Sequence, residues 1–114
     1  MPRPKQYKRE RVLIKQIKIA LNALPNCKAI KLHGSAWQEA GTPDILCVRE
    51  GKPYLLECKI NYKNSRGATP LQQKRIREWC EAGATSTVVW SLHEAINIIR
   101  RPGEYFNDKG EKIS

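Results

Sequence analysis

The chain has 114 residues, of which 40% are hydrophobic and 28% are charged, a mixture that is typical of one globular domain and excludes a disordered segment. Lysine and arginine number 21 against 11 aspartate and glutamate residues, and the net charge of +10 favours a polyanionic partner. A basic surface also arises for solubility alone, so the charge leaves both interpretations open.

The sequence contains no apolar run long enough to span a membrane and no apolar centre of a secretory leader. We therefore expect a cytoplasmic protein without a membrane partner. We also expect a single domain over residues 1–114, with a basic N-terminal arm at 1–7 and a polar tail at 104–114 on its periphery. The four cysteines lack the paired spacing of a zinc site, and we predict buried free thiols at Cys27, Cys47, Cys58 and Cys80.

The first predicted element is an amphipathic helix over residues 8–24 with a basic outer face. Its apolar residues approach a helical stripe and are Val12, Leu13, Ile14, Ile17, Leu21 and Leu24. Pro25 ends the helix, and the alternation in CKAIKLH then predicts a short strand.

Two apolar runs, PDILCVRE and PYLLECKI, follow on either side of Gly51 and Lys52, which predicts a β-hairpin whose two-residue turn has glycine first. The polar, basic segment NYKNSRGA is predicted to be an exposed loop.

A second helix is predicted to begin at Thr69 as N-cap and Pro70 as first helical residue, and to end before Gly83. We expect its inner face to carry Ile76, Trp79 and Cys80. STVVW then predicts a strand and LHEAINII a last helix. The order helix, strand, hairpin, helix, strand, helix indicates an α/β domain with a mixed sheet covered by helices.

The hairpin brings two acids and a lysine to one face of the sheet. With a turn at Gly51 and Lys52, Asp44 lies opposite Lys59 and diagonal to Glu57, within reach of a shared cation. Mg²⁺ takes one or two carboxylates together with waters and substrate phosphates, and the Cys58 backbone carbonyl is a candidate third ligand. The alternative is an ordinary exposed ion pair. The neighbouring strands, apolar on both faces, argue against it, because charges in a covered sheet are costly.

Two further side chains have open roles. Lys59 is placed to accept a proton or to stabilise the anion that forms during phosphodiester hydrolysis. Gln72, the third residue after Thr69, is placed to complete a capping box or to hold a water or phosphate oxygen in the site.

These residues resemble the PD-(D/E)xK nuclease superfamily, through Pro43-Asp44 and then Glu57-Cys58-Lys59 after a short hairpin. The longer stretch over residues 28–100 looks like a VRR-NUC domain. The resemblance implies a restriction-endonuclease-like fold in which Asp44 and Glu57 bind Mg²⁺ or Mn²⁺, Lys59 is catalytic and Gln72 supports the site. It also implies an acid on the first helix that completes the metal site, where Glu10 is the candidate and Gln16 an alternative alignment.

The chain ends soon after this domain, as in stand-alone bacteriophage members of the family, which look like homodimers resembling Holliday-junction resolvases. We predict phosphate contacts by Lys63 and Arg66 in the polar loop and by Lys8 and Arg9 at the start of the first helix. The expected function is a metal-dependent DNA endonuclease. A catalytically inactive DNA-binding module with the same fold, a nuclease acting on RNA, and a non-catalytic structural or partner-binding protein are the alternatives.

Overall fold

The computed structural model describes residues 9–32, 39–60 and 67–100. The elements in chain order are α1 (Glu10–Asn22), β1 (Cys27–Lys31), β2 (Ile45–Arg49), β3 (Lys52–Cys58), α2 (Pro70–Glu81), β4 (Thr85–Val89) and α3 (Leu92–Arg100). This is the predicted order. Within the described ranges no helix has the length and apolar character needed to cross a membrane. The predicted N-terminal arm at 1–7 and the polar tail at 104–114 lie outside the described residues.

The four strands form one mixed sheet in the order β1-β2-β3-β4. β2 is antiparallel to both of its neighbours, β1 and β3. β4 is parallel to β3, because helix α2 carries the chain across between them. Five consecutive residues of β3, from Tyr54 to Cys58, are buried. A strand that is apolar on both faces belongs inside a sheet covered on both sides, as predicted.

Helices α1 and α3 pack together on one face of the sheet, and α2 covers the other face beside β3 and β4. The buried residues of α1 are Leu13, Ile14, Ile17 and Leu21. Val12 was predicted on this apolar stripe and instead has 40% of its surface exposed. The stripe that faces the sheet is therefore narrower than the sequence indicates.

The hairpin turn differs from the prediction by one position. Arg49 pairs with Lys52, so the turn residues are Glu50 and Gly51, with φ values of 51° and 81°. Positive φ at both positions defines the turn type whose twist suits adjoining antiparallel strands. Leu46 consequently lies opposite Leu55 and not opposite Glu57. The pairing changes by two residues, so every side chain keeps its predicted face.

Helix α2 begins as predicted, with Thr69 as N-cap, Pro70 in the first turn and a capping box. The prediction for its inner face is wrong for two of three residues, because Ile76 is buried whereas Trp79 and Cys80 are exposed. In the described part of the chain the helix packs mainly against two strands, β4 at the edge of the sheet and β3 beside it. The surface available to bury α2 is correspondingly narrow.

All four cysteines are free thiols, and their exposure to solvent differs. Cys47 and Cys58 are buried, as predicted, and Cys27 is half-buried. The prediction of a buried thiol is wrong for Cys80, which is exposed on α2 although its Sγ donates to the Ser86 carbonyl of β4 at 3.3 Å.

Candidate active site

Asp44 is fixed between three strands at the point where β2 begins. Its carbonyl oxygen accepts a hydrogen bond from the Leu32 amide at 2.8 Å, and its own amide donates to the Leu56 carbonyl at 3.0 Å. Its carboxylate accepts a hydrogen bond from the Cys58 amide at 2.8 Å. The backbone and the carboxylate of Asp44 are therefore both fixed by hydrogen bonds. Such support keeps the geometry of a functional site constant.

Glu57 lies on β3 in the interior of the sheet, with only 3% of its surface exposed. Because Ile45 pairs with Leu56, the same register places Asp44 directly opposite Glu57. The predicted diagonal relation, with Lys59 opposite Asp44, is wrong, since it followed from the misplaced turn. The structure brings the two carboxyl groups closer together than the sequence indicated, because opposite residues in a sheet are nearer than diagonal ones.

Burial and mutual repulsion raise the pKa values of both acids. For Glu57, burial is the larger effect and the Asp44 carboxylate the next, and together they raise the pKa from 4.5 to about 8, against the opposing charge of Lys59. Burial also raises the pKa of Asp44, although the Cys58 amide and Lys59 oppose it. Two carboxyl groups that are buried together, with too little positive charge to compensate them, favour the binding of a cation.

Lys59 and Gln72 both reach the same oxygen of Glu57. The Lys59 Nζ lies 3.9 Å from Glu57 Oε1 and is largely shielded from solvent. Gln72 Nε2 donates to Glu57 Oε1 at 2.7 Å. The other oxygen, Glu57 Oε2, is buried with no hydrogen-bonding partner. A buried carboxylate oxygen without a donor, beside a second carboxylate, is costly, and either a proton shared with Asp44 or a bound cation would satisfy it.

Gln72 completes the capping box, one of the two roles that the sequence left open, and the other, holding a water or phosphate oxygen, stays a prediction. Its Oε1 accepts a hydrogen bond from the Thr69 amide at 2.9 Å, and its amide N–H donates to the Thr69 hydroxyl at 3.1 Å, which completes the capping box. Its Nε2 is thereby left for Glu57. The start of α2 is thus locked to the central acid of the site by one side chain.

The segment before Asp44 is anchored to α2. The Arg75 guanidinium donates to the Ala40 carbonyl at 3.0 Å and forms an ion pair with Glu39 at 3.2 Å. Gly41 has a φ of 82°, and a Cβ atom there would lie 2.9 Å from Leu71 Cγ. Only glycine allows this approach, which sets the entry of the chain into β2 and hence the position of Asp44.

The candidates for a further metal ligand lie on α1. Glu10 is the first residue of α1, and it lies near enough to Glu57 for its charge to contribute to the raised pKa of that acid. Gln16, the alternative, lines a groove on the outer side of α1. Among the described residues no group of three histidine, cysteine, aspartate or glutamate side chains is close enough to hold a metal ion. The acid pair is therefore the centre of the site, and a contribution from Glu10 stays a prediction.

Of the four predicted phosphate contacts, Arg9 lies in the described part of the chain, at the exposed N-cap of α1. Lys8, Lys63 and Arg66 lie outside the described residues. One basic residue near the site was not predicted. Lys31 at the end of β1 pairs with Ile45, and its charge acts on Asp44. No local sequence pattern distinguishes Lys31 from other lysines, because its position depends on pairing between distant strands.

The chain has a restriction-endonuclease-like fold, a small α/β domain with a mixed four-stranded sheet flanked by helices and paired acids on its central hairpin. A solved structure described as a VRR_NUC domain shares this fold with a TM-score of 0.65, covering 82% of this chain and 96% of that chain at 24% identity. The resemblance predicted from the sequence is thus confirmed at the level of the fold. No protein-family model matches the sequence, and no curated protein matches it.

Proposed function

We propose that the chain is a divalent-metal-dependent endonuclease that hydrolyses phosphodiester bonds in DNA. The observation that carries the proposal is the buried pair of Asp44 and Glu57 with one carboxylate oxygen, Glu57 Oε2, left without a partner. The likeness to a VRR_NUC domain structure supports the same conclusion. The single-domain division, cytoplasmic location and bacteriophage type stay predictions.

The donor set fits Mg²⁺ or Mn²⁺. Asp44 and Glu57 would hold the ion, with Glu57 Oε2 as the oxygen that lacks a hydrogen-bond donor, and the backbone carbonyl of Cys58 would be a third ligand. A bound dication would supply Lewis-acid polarisation of the phosphate and of an attacking water. Among the residues that the structure describes, the donors at this site are carboxylate oxygens, which favour these hard cations over zinc.

The protein's own residues have distinct tasks. The Cys58 amide orients the Asp44 carboxylate, and Gln72 orients Glu57 by a hydrogen bond of 2.7 Å. The Lys59 side chain lies beside the acids, where a neutral amine would accept the proton of the attacking water and an ammonium would stabilise the anion that forms at phosphorus. The rigid strand and helix positions of these groups keep the arrangement pre-organised.

DNA is the proposed substrate because the chain carries a net charge of +10 and its site chemistry suits a phosphodiester. We further propose a homodimer that acts on branched DNA such as a four-way junction. A two-fold symmetric enzyme most simply makes two related cuts in a two-fold symmetric substrate.

The test is cleavage of labelled duplex, single-stranded, flap and four-way-junction DNA, and of matched RNA, with Mg²⁺, Mn²⁺ or EDTA. Asp44→Asn and Lys59→Ala are compared with Lys74→Ala, which removes an exposed lysine from α2. We expect metal-dependent cutting that both site variants lose by at least about a hundredfold and that the control retains. Tight DNA binding without cutting under any metal would contradict the proposal and favour an inactive binding module. Preferential cutting of RNA would favour the RNA nuclease.

A further inference from the structure

A groove of about 1030 Å³ runs along the outer side of α1 and reaches the edge strand β1. Its basic lining residues are Arg11, Lys15, Lys18 and Lys31, and no acidic residue of the described chain lines it. Four cations without a counter-charge in one groove select an anionic occupant.

The same groove has an exposed apolar part. Val12 and Ile19 of α1 are 40% and 61% exposed, and Ile30 of β1 is 41% exposed. Aliphatic side chains gain little from the outside of a DNA duplex, where sugars and phosphates face the protein. They bury more apolar surface against unpaired bases, whose faces are exposed to water when the bases are not stacked in a duplex.

The cations of α1 follow the helix axis. Arg11, Lys15 and Lys18 recur at intervals of four and three residues, so they stand in one row about 5–6 Å apart. Val12 and Ile19 are two turns apart on the adjacent stripe. The groove thus offers a row of charges for a phosphate backbone next to a row of apolar contacts for bases.

One end of the groove leads to the proposed cutting site. Lys31, which lines the groove, pairs with Ile45, the residue that follows Asp44, and its charge acts on the Asp44 carboxylate. A strand lying in the groove would therefore pass close to the start of β2, where Asp44 lies.

Protein occupants fit less well. The Asn22 side chain donates to the Ala29 carbonyl at 2.9 Å and accepts from the Ala29 amide at 2.8 Å, so it occupies the outward hydrogen-bonding groups at the middle of β1. Addition of a partner strand at this edge is blocked there. A second copy docked through the same groove would bring two sets of uncompensated cations together, which is unfavourable.

We infer that the groove between α1 and β1 holds an unpaired strand of the DNA substrate adjoining the cut, with phosphates on Arg11, Lys15, Lys18 and Lys31 and bases on Val12 and Ile19. The inference rests on the proposed function and adds its substrate class, duplex DNA with a single-stranded extension.

The test measures binding by fluorescence anisotropy in EDTA, so that cleavage does not enter. Three probes share one duplex: blunt, extended by an unpaired tail, and extended by an abasic tail that keeps the phosphates without the bases. We expect the native protein to bind the tailed duplex about tenfold more tightly than the blunt one, with a smaller gain for the abasic tail.

The double variant Val12→Gln with Ile19→Gln keeps every charge and uses exposed positions. It should bind the normal tail no better than the abasic tail and leave blunt-duplex affinity unchanged. Val48→Gln, which alters a 41% exposed residue that does not line the groove, is the matched control and should behave as the native protein. Lys15→Ala should lower the salt dependence of tail binding by about one phosphate contact.

Equal affinity for blunt and tailed DNA in the native protein would overturn the inference. So would a double variant that retains the tail preference, or one that instead turns a dimer into a monomer in sedimentation, since that would assign the groove to a second copy. A parallel assay of metal-dependent cleavage distinguishes failure of the groove inference from failure of the proposed endonuclease function. Intact cleavage without tail preference refutes the groove alone, and tail preference without cleavage under any metal refutes the endonuclease alone.

Discussion

Replacement of Glu57 by glutamine tests whether the acid pair costs stability when no cation is bound. Glu57 is 3% exposed, and burial together with Asp44 raises its pKa from 4.5 to about 8. The folded protein therefore holds this proton more tightly than the unfolded chain does. The resulting stabilisation is fully present below about pH 4.5 and is lost as the pH rises to about 8. Glutamine is neutral throughout and removes this dependence.

A pKa that rises from 4.5 in the unfolded chain to about 8 in the folded protein changes the free energy of unfolding by at most about 5 kcal/mol. This follows because a pKa difference of one is equivalent to about 1.4 kcal/mol. Water entry and local relaxation reduce the cost of a buried charge, so we expect about 2–4 kcal/mol. The raised pKa of Asp44 acts in the same direction. In EDTA, Glu57→Gln should thus be more stable than the native protein at about pH 8.5 and nearly equal to it at about pH 5.

Urea unfolding followed by tryptophan fluorescence measures this effect across the pH range. Glu81→Gln, which neutralises an exposed acid at the end of α2, is the control and should keep the native pH dependence. Saturating Mg²⁺ should restore stability to the native protein at high pH and leave Glu57→Gln unchanged, because ligand binding stabilises only the form that has the site. Parallel pH profiles for the native protein and Glu57→Gln would refute the reasoning.

Substitutions at three other positions give separate tests. Gln72→Ala removes both the cap and the support of Glu57 and should cost about 1 kcal/mol in urea unfolding and about tenfold or more in cleavage, whereas Gln72→Glu should keep the cap and still lower cleavage. Gly41→Ala places a Cβ 2.9 Å from Leu71 Cγ at a φ of 82° and should cost about 1–3 kcal/mol in unfolding. Asn22→Ala uncovers the edge of β1 and should cost about 1–2 kcal/mol and increase self-association in sedimentation.

Each of these tests has a clear contrary result. Equal cleavage by Gln72→Ala and the native protein would show that Glu57 needs no support from α2. Unchanged unfolding of Gly41→Ala would mean that Leu71 yields freely, so that the close approach does not set the position of Asp44. An Asn22→Ala variant with native stability and no added association would remove the argument that this side chain protects the edge.

Local patterns were sufficient for most of the elements and for part of the site. The capping residues Thr69 and Pro70 marked the start of α2, because an N-cap and a first-turn proline act through neighbouring backbone atoms. The two-residue period of a strand placed Asp44 and Glu57 on one face even though the turn was predicted one position too late. Face depends on the parity of the pairing, which that error preserved.

Packing between distant segments decided the rest. The placement of the turn at Glu50 and Gly51, the exposure of Trp79 and the approach of Lys31 to Asp44 follow from how strands pair and how much of the sheet each helix covers. The sequence by itself determined the type and order of the helices and strands and which acids share a face, since those properties have short-range causes. Only the tertiary structure decided that Glu57 is buried with an unpaired oxygen, because desolvation and partner loss depend on every element packed around it.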